Sequence, residues 1–543
     1  MNRLLFVFVL CSLFNVANAQ VNLTSSNLPI IIINTNGQEI LDDPKIMADM
    51  GIIYNGEGVR NNVTDGFNEY NGKIGIEIRG QSSQSFPMKS YTIELRDEEG
   101  ESVDKSLFGM PEESDWVMYA PYTDKTLMRN FLAYTMSVNL GHWAAHCRYA
   151  EVILNGNYVG VYVFMEKIKR DGGRVDIKKL SDKDNSGDAV TGGYIFSIDK
   201  EADGWFSSYT ANGSNNAYPQ FSYVYPKLED ISGEQQDYIK SYVDSFENAL
   251  HGNYFQDSNL GFRKFADEHS FIDYFIVNEV SRNVDGYRLS SYFYKDRNSV
   301  NNKIIAGPVW DYDLAFRNAD YCNGSLTTGW AYKFNSVCPG DYWQVPFWWD
   351  RFMEDSAYKA NLYCRWKEVR QTVLSTDFMN HLIDSVSNLL SEAQARHFTQ
   401  WPILGSYVWP NPQPIPSSYS GEISTLKTWL SSRMQWLDLN MPEMGRCAAV
   451  QIPLPVFSGS MQLITANPVY NFNQAVVYST KDQMIYIRLI DLSGKTIVRL
   501  NVQAVRGKNN LPSATTFNSI AHGIYFMELS NAAAEKKVYK LMY

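Results

Sequence analysis

The stretch Asn283–Phe316, NVDGYRLSSYFYKDRNSVNNKIIAGPVWDYDLAF, holds the residue types that could do chemistry in this chain. Asp285 lies in a polar turn ahead of a strand-like run, Ser291–Lys295, in which aromatic and polar residues alternate; Asp311 and Asp313 follow a second such run, Lys303–Trp310. If the two runs pair as a hairpin, the turn acid and the strand-end acids meet at one end of it. Carboxylates grouped in this way can hold a divalent cation and accept the proton of a reacting hydroxyl. Taken singly, each acid is as well explained by turn chemistry or by capping of a following helix. The aromatic surround of Trp310, Tyr312 and Phe316 restores the balance, because burying carboxylates beside rings is costly without a compensating cation or donor.

Positive charge to match them is found upstream, in KIGIEIRGQSSQSFPMKSYTIELRD, where two alternating strands, Ile74–Arg79 and Ser90–Arg96, flank a Ser/Gly loop with Arg79 and Lys89 at its rims. Backbone N–H groups and basic side chains in such a loop can contact phosphates, although an ordinary solvated loop has the same composition. YAEVILNGNYVGVYVFMEKI, residues 149–168, is expected to form a hairpin turning at Asn155-Gly156, and Glu166 at its end is either a solvated charge or a partner for Lys89. A helix is expected over Leu127–Leu140, capped by Thr123 or Asp124, with a strand at 191–200 and helices over Gly233–Leu250 and Phe262–Arg282. The last of these delivers the chain into Asp285. Residues 341–440 have helical periodicity and many tryptophans, which are expected to serve packing.

With 543 residues the chain exceeds one core, and 45% hydrophobic content with 14% aromatics indicates ordered domains. A net charge of −11 argues against a nucleic-acid binder held by phosphate contacts. Residues 1–19 have a basic start, an apolar run too short to span a bilayer and an Ala17-Asn18-Ala19 end, which is the pattern of a signal peptide; no later segment reads as a transmembrane span. In the oxidising compartment this implies, Cys322 and Cys338 are the favoured disulfide. A Pro-containing break at 441–460 separates residues 461–543, whose short, regularly spaced strands suggest a small all-β sandwich.

Five segments in a fixed order, IEIRGQSSQSFPMKSYTIEL, DKTLMRNFLAYTMS, AEVILNGNYVGVYVFMEKIKR, NVDGYRLSSYFYKD and GPVWDYDLAF, resemble the CotH kinases over about residues 28–440. The resemblance implies an α+β, atypical protein-kinase-like fold with a helical C-terminal lobe, followed here by the β-sandwich. It also implies roles: Lys89 would hold the ATP phosphates with Arg79 in support, Glu166 would orient that lysine, Asp285 would occupy the catalytic-loop position, and Asp311 would hold Mg²⁺ or Mn²⁺. Where some relatives have an Asn able to ligate a second metal, this chain has Ser290, for which Asp313 could compensate. The tail segments ANPVYNF, DLSGKTI, GIYFMEL and KKVYKLMY resemble the C-terminal sorting domain of proteins exported by the type IX secretion system, implying that secretion machinery as a partner and a secreted or cell-surface location.

The expectation is therefore an exported kinase that transfers phosphate from Mg-ATP to hydroxyl side chains of a protein substrate. The alternative is a kinase-fold surface protein, inactive or weakly active, with a structural or adhesive role. A glycan-active enzyme using paired carboxylates near Trp platforms is a third reading, with no motif to carry it.

Overall fold

The computed structural model describes residues 21–442 except 201–202 and 212–215, together with residues 447, 460–463, 476–491, 496–511, 524–533 and 535–542. The signal-peptide stretch 1–19, nearly all of the break at 441–460 and the ANPVYNF segment lie outside the described residues. The chain divides into two compact units, Met1–Gly445 and Arg446–Tyr543.

Seven strands of the first unit close into a barrel: β1 (Ile30–Asn34), β2 (Ile46–Ile53), β3 (Tyr70–Arg79), β4 (Ser90–Arg96), β5 (Asp115–Tyr119), β6 (Cys147–Leu154) and β7 (Asn157–Glu166). Their order around the barrel is β1-β2-β3-β4-β5-β7-β6, with β1 and β6 closing it as a parallel pair. The period-two alternation of the sequence gives the barrel two apolar surfaces. Tyr91, Ile93, Leu95, Trp116, Met118, Tyr162 and Phe164 fill its interior. Val117, Val161, Val163 and Met165, on the opposite face of β5 and β7, join the large core shared with the helices. This outer face is what the site is built on.

Helix α1 (Arg129–Asn139) crosses between β5 and β6. Its first-turn amide, Arg129 N, donates to Asp124 Oδ2 at 2.8 Å, although the residue at the N-cap position is Met128. An antiparallel sheet of order β9-β10-β8-β11-β12 follows, formed by β8 (Tyr194–Ile198), β9 (Trp205–Phe206), β10 (Gln220–Tyr225), β11 (Ser291–Lys295) and β12 (Ile304–Ala306). Helix α2 (Gly233–His251) begins at a capping box of Ser232 and Gln235. The expected helix over Phe262–Arg282 is split: a short turn at Phe262–Lys264 precedes α3 (Glu268–Ser281), because the Asp267 carboxylate accepts from Ser270 N and starts the helix afresh. Every residue of α3 from Ser270 to Ser281 is buried, the polar Asp273, Asn278 and Glu279 included, which makes it the axis of this part of the unit.

Of the helices that follow, α4 (Ser356–Arg370) and α7 (Tyr419–Asn440) pack against α3 together with a short helix, Trp348–Phe352, while α5 (Thr376–Leu389) packs on α7 and α6 (Ala393–Gln400) packs against β7 of the barrel. Trp348, Trp349 and Trp366 are buried there, as packing residues should be. In the second unit a three-stranded sheet (Met461–Leu463, Val476–Ser479, Gly507–Asn510) and a four-stranded sheet (Thr496–Ala504, Gln483–Asp491, Ile524–Asn531, Lys536–Met542) share one apolar core that includes Met461, Val477, Ile485, Leu489 and Met527. No helix among the described residues is long and apolar enough to cross a membrane.

Candidate active site

Strands β11 and β12 pair with Phe293 opposite Ala306 and Lys295 opposite Ile304, so the two runs do form a hairpin. The second strand stops at Ala306 rather than at Trp310. Gly307, with φ +115°, turns the chain there, and residues 307–310 carry it across to the outer face of the barrel. This crossing brings Asp311 and Asp313 to the same cavity as Asp285. The cavity has a volume of about 500 Å³.

One wall of the cavity is the barrel. Arg79 and Ser90 face each other across β3 and β4, and Val117, Tyr119 and Met165 continue the row on β5 and β7. The loop after β3 contributes Gly80, Gln81, Ser82 and Ser83. Gly80 has φ +94°, and a Cβ there would lie 2.1 Å from Ser83 Oγ, so the tight entry to this loop requires glycine. The Arg79 guanidinium sits over the Trp310 ring at 5.6 Å, and its Nη1 is buried with no hydrogen-bond partner. A buried N–H of a half-buried cation left without an acceptor is costly unless an anion completes it.

The opposite wall is acidic. Asp199, just past the end of β8, accepts from Lys200 N at 2.8 Å and from Ser290 Oγ at 3.3 Å. Asp285 accepts from Arg288 Nη2 at 2.8 Å, and Arg288 is held in turn by Asp341 at 3.3 Å and by the Phe334 ring at 3.9 Å. Asp313 Oδ2 accepts from the Tyr119 hydroxyl at 3.3 Å. Asp311 opens onto the water of the cavity and yet is surrounded by protein. Loss of bulk solvent, followed by the charge of Asp285, raises its pKa to about 6, and Arg79 partly opposes the rise. Burial, then the charge of Asp311, drives Asp313 upward as well, and burial raises Asp199. Five carboxylates, Asp341 among them, line this cavity and are poised to receive cationic charge.

Backbone strain gathers at the same place. Tyr287 (φ +72°), Ser290 (φ +46°) and Asp311 (φ +61°) all occupy the left-handed region, which side chains other than glycine adopt at a cost. Asp311 is held there by Tyr134, whose hydroxyl accepts from Asp311 N at 3.3 Å, and by Asn130 Oδ1, which accepts from Tyr312 N at 2.5 Å.

Of the residues expected from the sequence, Arg79, Asp285, Asp311 and Asp313 line the cavity, whereas Lys89 and Glu166 do not. The expected Lys89–Glu166 partnership is replaced. Lys89 Nζ donates to Gln84 O at 2.5 Å, while Glu166 accepts from His146 N at 2.9 Å, lies 2.7 Å from His146 Nδ1 and pairs with Arg174 at 3.6 Å. Ser90, the first residue of β4, lines the cavity, whereas Lys89 precedes the strand and is turned back onto the Gln84 carbonyl of the loop. Arg79 is the cation on this wall. The sequence reading also passed over Asp199, although its position directly after the apolar run YIFSI is the same signal that marks Asp311. Tyr119, Lys200, Trp343 and Trp409 are likewise cavity residues that no local pattern marked. Trp343 carries Lys200 Nζ at 5.3 Å from its ring, and Trp409 stacks on Tyr321 at 6.1 Å, so these two tryptophans line the site rather than fill a core.

Cys322 and Cys338 form a disulfide with a Cα separation of 5.6 Å, and Cys147 is a free thiol. The disulfide closes the loop that begins at the cavity residue Tyr321 and ends just before Asp341 and Trp343.

A cavity of about 500 Å³ with Arg79 beside a Ser/Gly loop on one wall and carboxylates on the other suits a phosphorylated ligand together with a divalent ion. The family described as CotH kinase protein matches residues 76–437, about two thirds of the chain, and the chain belongs to that family. No curated protein sequence matches it.

Proposed function

We propose that this protein is an exported kinase that transfers the terminal phosphoryl group of ATP to a hydroxyl side chain of a protein substrate. The observation that carries the proposal is the unpartnered, buried Nη1 of Arg79 in a cavity lined by five carboxylates. The cation suits phosphate oxygens, and the acids suit a divalent metal and a proton. In this reading the barrel and the helical part act as the two lobes of a kinase.

Arg79, aided by the Ser82–Ser83 loop, binds and orients the phosphates of ATP. A Mg²⁺ or Mn²⁺ ion held by Asp311, with Asp313 and Asp199 at hand, would neutralise phosphate charge as the bond to the leaving diphosphate breaks. Asp199 is hydrogen-bonded to Ser290, and it supplies a carboxylate beside the position where some relatives have an Asn. Among the described residues no three cavity acids converge within 4.8 Å of one another. That spacing fits a metal bound by one or two carboxylates, water and substrate phosphates better than an all-protein cage. Asp285, steadied by Arg288, accepts the proton of the attacking hydroxyl as that oxygen bonds to the terminal phosphorus. The signal-peptide and sorting-domain patterns support export to the cell surface.

The test is calorimetry and thermal shift of ATP with Mg²⁺ or Mn²⁺ on residues 21–445, for wild type, Asp311→Ala and Arg79→Ala. Binding should require the metal and weaken at least tenfold, about 1.4 kcal/mol, in each variant. An absence of binding at millimolar nucleotide, by this fragment and by the full chain alike, would overturn the kinase reading and leave a surface protein that has kept the family's architecture.

A further inference from the structure

Away from the cavity, a second cluster of ligand-type side chains occurs where α1, α3 and α4 meet. His142 follows the C-terminus of α1, held by its backbone N donating to Ser137 O at 3.1 Å. His269 and Asp273 stand one turn apart on α3, so they share a face. His142 Nε2 lies 2.8 Å from Asp273 Oδ2 and His269 Nδ1 lies 3.3 Å from the same oxygen. All three ligand atoms fall within 4.8 Å of one another. Tetrahedral zinc with bonds of about 2.0–2.1 Å to N and O places its donors roughly 3.3 Å apart, which two of these three spacings already approach.

The surroundings have the features of an ion site. Asp273 is 1% exposed, and its carboxylate is fixed from behind by Arg365, through Nε to Oδ1 at 2.8 Å and Nη2 to Oδ2 at 3.1 Å. Arg365 also donates to Leu140 O at 3.0 Å, which ties the end of α1 to the same carboxylate. Glu368, 3.0 Å from Arg365, offsets the charge of the guanidinium. Outer partners that hold a ligating carboxylate in one orientation are the usual support of a metal centre. On the open side, the His269 side chain is 53% exposed and the His142 side chain 23%, so an ion can enter from solvent and His269 can swing to close the remaining gap.

We propose that His142, His269 and Asp273 bind a divalent ion of the zinc class, with water completing the coordination, clipping the end of α1 to the start of α3. Two imidazoles and one carboxylate suit Zn²⁺ or Co²⁺ rather than the oxygen-preferring Mg²⁺ of a nucleotide site. None of the three residues lines the cavity, so the site is independent of the kinase reading.

The test uses the full chain, stripped with a chelator and titrated with Zn²⁺ by calorimetry, and with Co²⁺ followed by its visible absorption. One equivalent should bind, with tetrahedral-type Co²⁺ bands, and binding should weaken at least tenfold in His269→Ala and in His142→Gln while persisting in Asp311→Ala. His269 is solvent-exposed, so its replacement keeps the fold, and circular dichroism checks this. No binding, binding indifferent to both histidines, or binding lost only in Asp311→Ala would each overturn the proposal, the last by assigning the ion to the cavity.

Discussion

Arg79 and Asp311 set the character of the cavity between them, because each carries a charge that the protein alone does not complete. For Asp311 the pKa of about 6, against an ordinary value of 3.8, makes a testable statement about stability. Below pH 3.8 the carboxyl is protonated in both folded and unfolded chains and contributes nothing. As pH rises toward 6 the unfolded chain releases this proton first, so the folded state loses stability, and above 6 the loss is complete. Cavity water screens the group, so the loss is on the order of 1 kcal/mol. Asp311→Asn should therefore raise the melting temperature at pH 7 and leave it unchanged at pH 3.5. The same variant should lose the stabilisation that Mg-ATP gives to wild type, as differential scanning fluorimetry across pH would read directly.

Two elements hold the site's walls in register, and both can be cut. Helices α3 and α7 are joined by Glu279 and Arg433, wholly buried side chains 2.9 Å apart, with Glu279 also accepting from Ala331 N and Tyr332 N. Breaking one side of such a pair leaves an uncompensated buried charge. Arg433→Met should cost about 3–5 kcal/mol in urea denaturation, enough to disturb the helix that leads into Asp285. The Cys322–Cys338 bridge, with a sequence separation of 16, constrains the segment between Tyr321 and Asp341. Replacing both cysteines by Ser should cost about 3 kcal/mol in the chain-entropy model. Nucleotide affinity should fall as well, since this segment lines the cavity; an unchanged affinity would show that the bridge serves stability alone.

Each of the two units has its own apolar core, with the barrel and helix cores in one and the paired-sheet core in the other. Calorimetry of the full chain should therefore resolve two unfolding transitions. Removing residues 446–543 should abolish one transition while leaving metal-dependent nucleotide binding within about twofold, on the expectation that separate units contribute additively. Loss of nucleotide binding on that truncation would mean that the second unit is needed to hold the first in its binding form.

Local pattern in the sequence was enough for many of the elements and for most of the acids, but it left the strands Ile46–Ile53, Asp115–Tyr119 and Gln220–Tyr225 unmarked. Alternation over Ser90–Arg96 and Tyr149–Glu166 marked strands, helical spacing marked the stretch from 341 to 440, and strand-end position marked Asp311 and Asp313, because each signal lies within a few residues. Closure of seven strands into a barrel was not legible, since the parallel pairing of Ile30–Asn34 with Cys147–Leu154 joins residues more than a hundred positions apart. The choice between Arg79 and Lys89 was equally a tertiary matter. Both flank the same loop, and only the register that sets Arg79 opposite Ser90 on the outer face of the barrel decides which cation meets the acids. Glu166, read from sequence as that lysine's partner, is turned to His146 and Arg174 by the same strand geometry. The sequence by itself determined which residues carry charge and where many of the strands and helices fall; which charges share a cavity depended on how the barrel wall and the hairpin pack, information that no single segment contains.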